Sequence, residues 1–115
     1  MITKKANRIM DTEIGQGDSY GILKLERLFD RSFMPNHLEM YSRAYLEPGA
    51  CVGFHVHTGE AESYYILSGK GEYNDNGEVY TVEAGDLTYT PNGHGHGIKN
   101  TGDAVLEFIA LIIKE

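Results

Sequence analysis

Four of the five histidines fall in two pairs, His55/His57 and His94/His96, each pair separated by one residue. Along a strand, side chains two apart point to the same face with Cβ atoms roughly 7 Å apart, so two imidazoles on one strand can converge on a single ion. His55 and His57 could therefore supply two nitrogen ligands. If the following run, 62–68, turns back antiparallel beside the first, Glu62 sits across from the pair and presents a carboxylate oxygen. His96 opens a further candidate strand and could close a set of three nitrogens and one oxygen, which leaves positions open on an octahedral ion. A single surface histidine is usually just a solvated polar group, and one His-x-His pair arises often by chance. Two pairs with a carboxylate point instead to a divalent transition metal, one ion per chain. Mn, Fe, Ni, Co, Cu and Zn all suit such a ligand set, and residue types alone do not choose among them.

The elements that must position these residues read as strands. Fourteen glycines, three prolines and eight tyrosines, with many Val, Ile and Thr, suit short strands joined by tight turns. Residues 38–46 place Leu38, Met40, Ala44 and Leu46 on one parity and Glu39, Tyr41, Arg43 and Tyr45 on the other, a half-buried strand ended by Pro48-Gly49. Further strands are expected over 51–57, 62–68, 71–74, 78–83, 87–90, 96–99 and 104–113, each bounded by a turn signal. Asn76-Gly77 is the clearest of these, because both residues tolerate the positive φ of a two-residue hairpin, which makes 71–83 a hairpin. Residues 20–29 are compatible with a strand or with one turn of helix, and strand is the expectation. Gly15, Gly17 and Gly21 lack the spacing and the βαβ context of a phosphate-binding loop and read as an approach loop. The whole pattern implies a closed all-β fold, with an N-terminal arm over 1–36 and the barrel over 37–115 in one structural domain.

Chain-wide properties exclude several classes of function. One hundred and fifteen residues suit a single domain. Ten Lys and Arg against seventeen Asp and Glu give a formal charge of −7, which repels phosphate backbones and anionic lipid, so neither nucleic acid nor membrane is an expected partner. The lone cysteine, Cys51, has no partner for an intrachain disulfide, and no apolar run approaches the ~18 residues of a membrane span. Asn7, Arg8 and Asp11 interrupt the place where a signal peptide needs its apolar stretch. The chain reads as cytoplasmic.

A wider frame surrounds the histidines. Gly49, His55, His57, Glu62 and Gly69 are separated by five, one, four and six residues. This spacing resembles the first motif of the cupin family at every fixed position. Gly85, Pro91, Gly93, His96 and Asn100, with gaps of five, one, two and three residues, fill the second motif, and fifteen residues lie between the two. The resemblance covers 49–100 and implies an all-β double-stranded β-helix, or jelly-roll barrel, with His55, His57, Glu62 and His96 as metal ligands near its centre. Glu60 competes with Glu62 for the carboxylate role but follows His57 by too few residues for the motif. Gly49, Gly69 and Gly85 suit tight strand exits, and Pro91 with Gly93 turns the chain so that His96 enters the barrel. His94 departs from the usual apolar residue of small cupins at that place. It is either a solvated loop histidine or an acid/base group at the pocket rim, and is the candidate catalytic residue. Tyr64 and Ile66 share the parity of Glu62 and should face the same interior, whereas His37 has no partner in sequence and reads as a surface group.

The expected function is that of a metalloenzyme taking a small oxygen-rich substrate, a carboxylate, diketone or sugar, directly on the ion, with dioxygenase, decarboxylase or isomerase chemistry. The alternative is a binding or sensing module that holds such a ligand without turning it over. A barrel of this size leaves strand edges and an apolar outer face, and small cupins are similar, so a homodimer is expected, with the strand at 20–29 placed to cross to a partner or, alternatively, folded back to cover the same edge of its own barrel.

Overall fold

In the computed structural model, which describes residues 1–15 and 17–115, ten strands follow one another along the chain. They are β1 (Met10–Ile14), β2 (Ile22–Arg27), β3 (Leu38–Leu46), β4 (Cys51–Val56), β5 (Glu60–Ser68), β6 (Lys70–Asp75), β7 (Glu78–Glu83), β8 (Leu87–Thr90), β9 (Gly95–Asn100) and β10 (Leu106–Lys114). One sheet has the order β1-β2-β3-β10-β5-β8 and the other β4-β9-β6-β7, with the strand pairs antiparallel throughout. From β3 onward the chain passes from one sheet to the other at every connection except the β6–β7 hairpin. This is the expected jelly roll. Among the described residues no helix is long and apolar enough to cross a membrane.

Alternation decides what lies between the sheets. On β3, Ser42, Ala44 and Leu46 are buried while Glu39 and Tyr41 face outward, as the parity of that run requires. Leu25, Ile66, Tyr73, Ile98, Leu106 and Phe108 join them in one apolar core. The β6–β7 hairpin turns at Asn76 (φ 52°) and Gly77 (φ 107°), both left-handed as the two-residue turn demands. Asn76 Oδ1 then accepts the Gly95 N–H at 3.1 Å, which ties this turn to the start of the strand that carries His96.

One expectation is corrected. β5 does not lie beside β4. It pairs with β10 and β8 in the other sheet, because the chain crosses at Thr58 and Gly59, where Gly59 takes φ 82°. Glu62 therefore reaches the histidines across the barrel interior, and the neighbour of β4 is β9, with His55 opposite His96. The N-terminal strand β2, expected as a strand, folds back on β3 of the same chain, Leu23 with Leu46 and Leu25 with Ala44, which buries Leu25 in the same core. Ahead of it β1 forms an edge hairpin with β2 that the reading of the first residues did not include.

Candidate metal centre

Three elements bring four side chains to one point. β4 carries His55, and His57 directly follows its last residue; β9 carries His96, and β5 carries Glu62 from the facing sheet. One ligand atom of each lies within 4.8 Å of those of the others. The three imidazole rings form a near-equilateral triangle, with centroids 4.8, 4.8 and 4.9 Å apart. His57, Glu62 and His96 are buried and His55 is half-buried.

The second nitrogen of each ring is held by the protein. His55 Nδ1 lies 2.8 Å from the Gly53 carbonyl oxygen and His57 Nδ1 lies 2.9 Å from Glu60 Oε1. A carbonyl and an ionised carboxylate only accept, so both neutral rings donate through Nδ1 and turn a bare lone pair on Nε2 toward the interior. His96 Nδ1 lies 2.7 Å from the Tyr73 hydroxyl, which is also 2.7 Å from Thr90 Oγ1. Inside this ring of supports, His57 Nε2 is 3.0 Å from His96 Nε2, and each is 2.9 Å from Glu62 Oε1.

Such a cluster of lone pairs is unfavourable without a cation, and the donor set fits a metal ion on two counts. The separations of 2.9 and 3.0 Å match neighbouring positions around one ion with bonds of about 2.1 Å. The buried His96 ring is also biased toward the neutral form that ligates. Burial pushes the His96 imidazole below its ordinary value, with only partial opposition from the Glu62 carboxylate beside it.

The surrounding residues serve this arrangement. Tyr64 packs face-on against His96, with ring centroids 5.0 Å apart and an angle of 28°, and against Phe108 at 4.5 Å. Burial, with the Glu62 charge adding to it, raises the Tyr64 phenol well above its ordinary value, so it stays protonated. Ile66 is fully buried, as its parity with Glu62 requires. Asn100 donates through Nδ2 to the carbonyls of Leu46 and Ala104 at 2.9 and 2.8 Å and accepts the Gly102 N–H at 2.9 Å, a scaffold role at the far end of β9.

His94 is exposed, and among the described residues its ring has no hydrogen-bond partner. Its contribution to the centre runs through the main chain: its carbonyl accepts the His57 N–H at 3.0 Å, while the Gly93 N–H donates to the His57 carbonyl at 2.8 Å. His37 is exposed. The supporting roles of Glu60, Tyr73 and Thr90 were not read from the residues. Glu60 was visible only as a rival ligand, and nothing in the spacing of Tyr73 and Thr90 marks them.

Comparison with known proteins bears on this geometry. The cupin domain family matches residues 42–112. An oxalate-binding protein of Thermotoga maritima is 41% identical over 106 residues, covering 92% of this chain and 84% of that protein. A crystal structure from the same organism, described as a predicted oxalate decarboxylase, superposes over the full length of both chains with a TM-score of 0.91 and 36% identity. The oxalate decarboxylase OxdC of Bacillus subtilis is 32% identical over 71 residues, which are 57% of this chain and 18% of that enzyme. With the jelly roll, the two filled motifs and these matches together, the chain belongs to the cupin family.

Proposed function

We propose that His55, His57, His96 and Glu62 hold one divalent transition-metal ion, and that a small chelating dicarboxylate of the oxalate type binds that ion directly. The observation that carries the reading is the orientation of the rings: the Nδ1 atoms of His55, His57 and His96 are all occupied by Gly53, Glu60 and Tyr73, and lone pairs are left to converge beside a carboxylate. Glu62 cancels only part of a divalent charge and neutral histidines cancel none, so the centre attracts anionic oxygen. A barrel interior strengthens that attraction by excluding water. The name of the Thermotoga maritima oxalate-binding relative supports the same ligand class.

Binding without turnover is the better supported form of this function. The acid–base groups that touch the ligands are committed to them: Glu60 to His57, Tyr73 to His96 and Thr90, and Glu62 to the centre itself. Turnover by decarboxylase, dioxygenase or isomerase chemistry is the second reading, favoured by the likeness to the predicted oxalate decarboxylase, with His94 as its candidate acid/base.

Metal analysis of protein purified without added metal or chelator, followed by calorimetry with oxalate, tests the proposal. Near-stoichiometric metal is expected, sharply reduced in His57→Ala and His96→Ala, with oxalate binding the metal-loaded protein and hardly binding the metal-free one. Equal affinity for both forms overturns direct binding to the ion. Release of carbon dioxide from bound oxalate, slowed ~10²-fold by His94→Ala with metal content intact, moves the conclusion to the second reading.

A further inference from the structure

One polar group inside the barrel has no part in the arrangement around the ligands. Ser42 lies midway along β3, on the inward parity that it shares with Ala44 and Leu46, and it is fully buried. Its hydroxyl has no hydrogen-bond partner among the described residues. Arg27, which stands beside it on β2, is turned to Asp11, where its Nε donates at 2.8 Å. A buried hydroxyl without a partner forfeits the hydrogen bonds it makes to water in the unfolded chain, so on an apolar strand face it marks a place for an acceptor that the protein does not itself supply.

The strand register sets this hydroxyl on the wall next to the metal centre. Across the inner face of the six-stranded sheet one row runs Ser42, Ala110, Tyr64 and the next runs Met40, Ile112, Glu62. Tyr64 stacks on His96 with ring centroids 5.0 Å apart, and Glu62 is the carboxylate of the centre. The candidate ligands come from β4 and the residue after it, from β5 and from β9, so β3 and β10 close the same interior without contributing one. Of the inward side chains that those two strands place in these rows, Ser42 alone is polar. Ala110, between Ser42 and Tyr64, carries a single methyl group, so the wall is low at this point.

We infer that Ser42 is a specificity contact of this centre: its hydroxyl donates a hydrogen bond to a carboxylate oxygen of the bound dicarboxylate, one that does not itself touch the ion. The inference rests on the reading of His55, His57, Glu62 and His96 as the seat of a metal that takes such a ligand directly. Oxalate that chelates through one oxygen of each carboxylate keeps two oxygens off the ion, each with lone pairs to spare. Met40, Ala110 and Ile112 offer those oxygens nothing, whereas a hydroxyl donates. A hydrogen bond to a charged acceptor is roughly twice as strong as one between neutral groups. Ser42 is also already stripped of water in the ligand-free protein, so little is lost when the bond forms.

Calorimetry of oxalate on the metal-loaded parent and on Ser42→Ala, with metal content and the melting temperature of the metal-free proteins measured alongside, tests this role. Because the hydroxyl makes no bond within the protein, Ser42→Ala is expected to keep the parent's metal content and to melt at the parent's temperature or above it. It is nevertheless expected to bind oxalate ~10- to 100-fold more weakly. Ser42→Cys, which fills the same place with a weak donor, is expected to fall between the parent and the alanine variant. Equal affinity in the parent and Ser42→Ala overturns the role of Ser42 and leaves direct binding to the ion standing; a hydroxyl that only holds a buried water gives that result. A parent that binds oxalate alike with and without metal, or not at all, overturns the reading of the centre and this inference with it. A Ser42→Ala protein that loses metal, or melts lower when metal-free, makes Ser42 a support of the fold and overturns the inference as well. If the alanine variant does not fold, Ser42→Cys decides, and undiminished oxalate affinity in that variant overturns the assignment.

Discussion

An imidazole that ligates through one nitrogen is aimed by whatever its other nitrogen touches, and Glu60 holds that place for His57. Glu60→Ala should therefore weaken metal affinity by roughly 10- to 100-fold without removing a ligand, and Glu60→Gln, whose amide oxygen still accepts from Nδ1, should recover most of it. Competition titration with a metal indicator separates the two, and equal losses in both variants would show that charge rather than aim is at work. Tyr73→Phe keeps the ring packing and removes the hydroxyl that lies between Thr90 Oγ1 and His96 Nδ1. It should lower the stability of the metal-free protein by about 1–3 kcal/mol, because Thr90 and the Nδ1 atom of His96 lose a partner in a buried place. Urea unfolding measures this, and an unchanged midpoint would remove Tyr73 from the support of His96. At this scale His55, His57, Glu62 and His96 were legible, because their spacing carries the chemistry. Glu60 and Tyr73 were not, since a supporting hydrogen bond depends on how two strands stack and leaves no fixed interval along the chain.

The pairing of β4 with β9 sets the distance between His55 and His96, and it is held close by glycine. A Cβ on Gly97 would lie 2.9 Å from the Val52 carbonyl oxygen and 3.0 Å from the Phe54 nitrogen, both main-chain atoms that cannot swing aside. Gly97→Ala should thus push the two strands apart, costing about 1–3 kcal/mol by overpacking and reducing metal occupancy together with stability. Gly85→Ala is the matching control. Its φ of 94° strains any other residue, but nothing stands within 4 Å, and its N–H donates to the Ile66 carbonyl, four residues along β5 from Glu62. It should cost about 1–2 kcal/mol with metal affinity unchanged. Thermal melts with and without metal distinguish the pair, and a Gly97→Ala variant with normal occupancy would show that the β4–β9 spacing has slack. Most strands and their turns were legible here, because Pro48-Gly49, Asn76-Gly77 and Pro91-Asn92-Gly93 punctuate runs with period two. Alternation says which side of a strand is buried but not which sheet the strand joins, so the crossing at Gly59 that sends β5 to the facing sheet was hidden. β1 was hidden for another reason: Asp11, Thr12 and Glu13 interrupt its apolar residues, and an edge hairpin with little burial needs no alternation.

For the molecule as a whole, the centre couples folding to acidity. His96 is fully buried, and burial holds its imidazole below the ordinary value of ~6.5. In the unfolded chain the same ring takes a proton as the pH falls through ~6.5, while in the folded chain it does not until the pH is lower still. The unfolded state then binds more protons, so stability falls. The contribution is complete above ~6.5 and drains away as the pH drops from there through the depressed folded value. Bound metal adds to the effect in the same direction, because protons compete for the nitrogens it needs. The melting temperature of metal-free protein should therefore decline between pH 7.5 and 5.5, and the extra stability conferred by metal should shrink over the same range. His96→Gln, which cannot titrate, should flatten the metal-free profile, though its plateau will lie lower for want of a fully satisfied buried side chain. A parent profile that is level from pH 7.5 to 5.5, or a His96→Gln profile as steep as the parent's, would place the acid sensitivity of this barrel somewhere other than its centre.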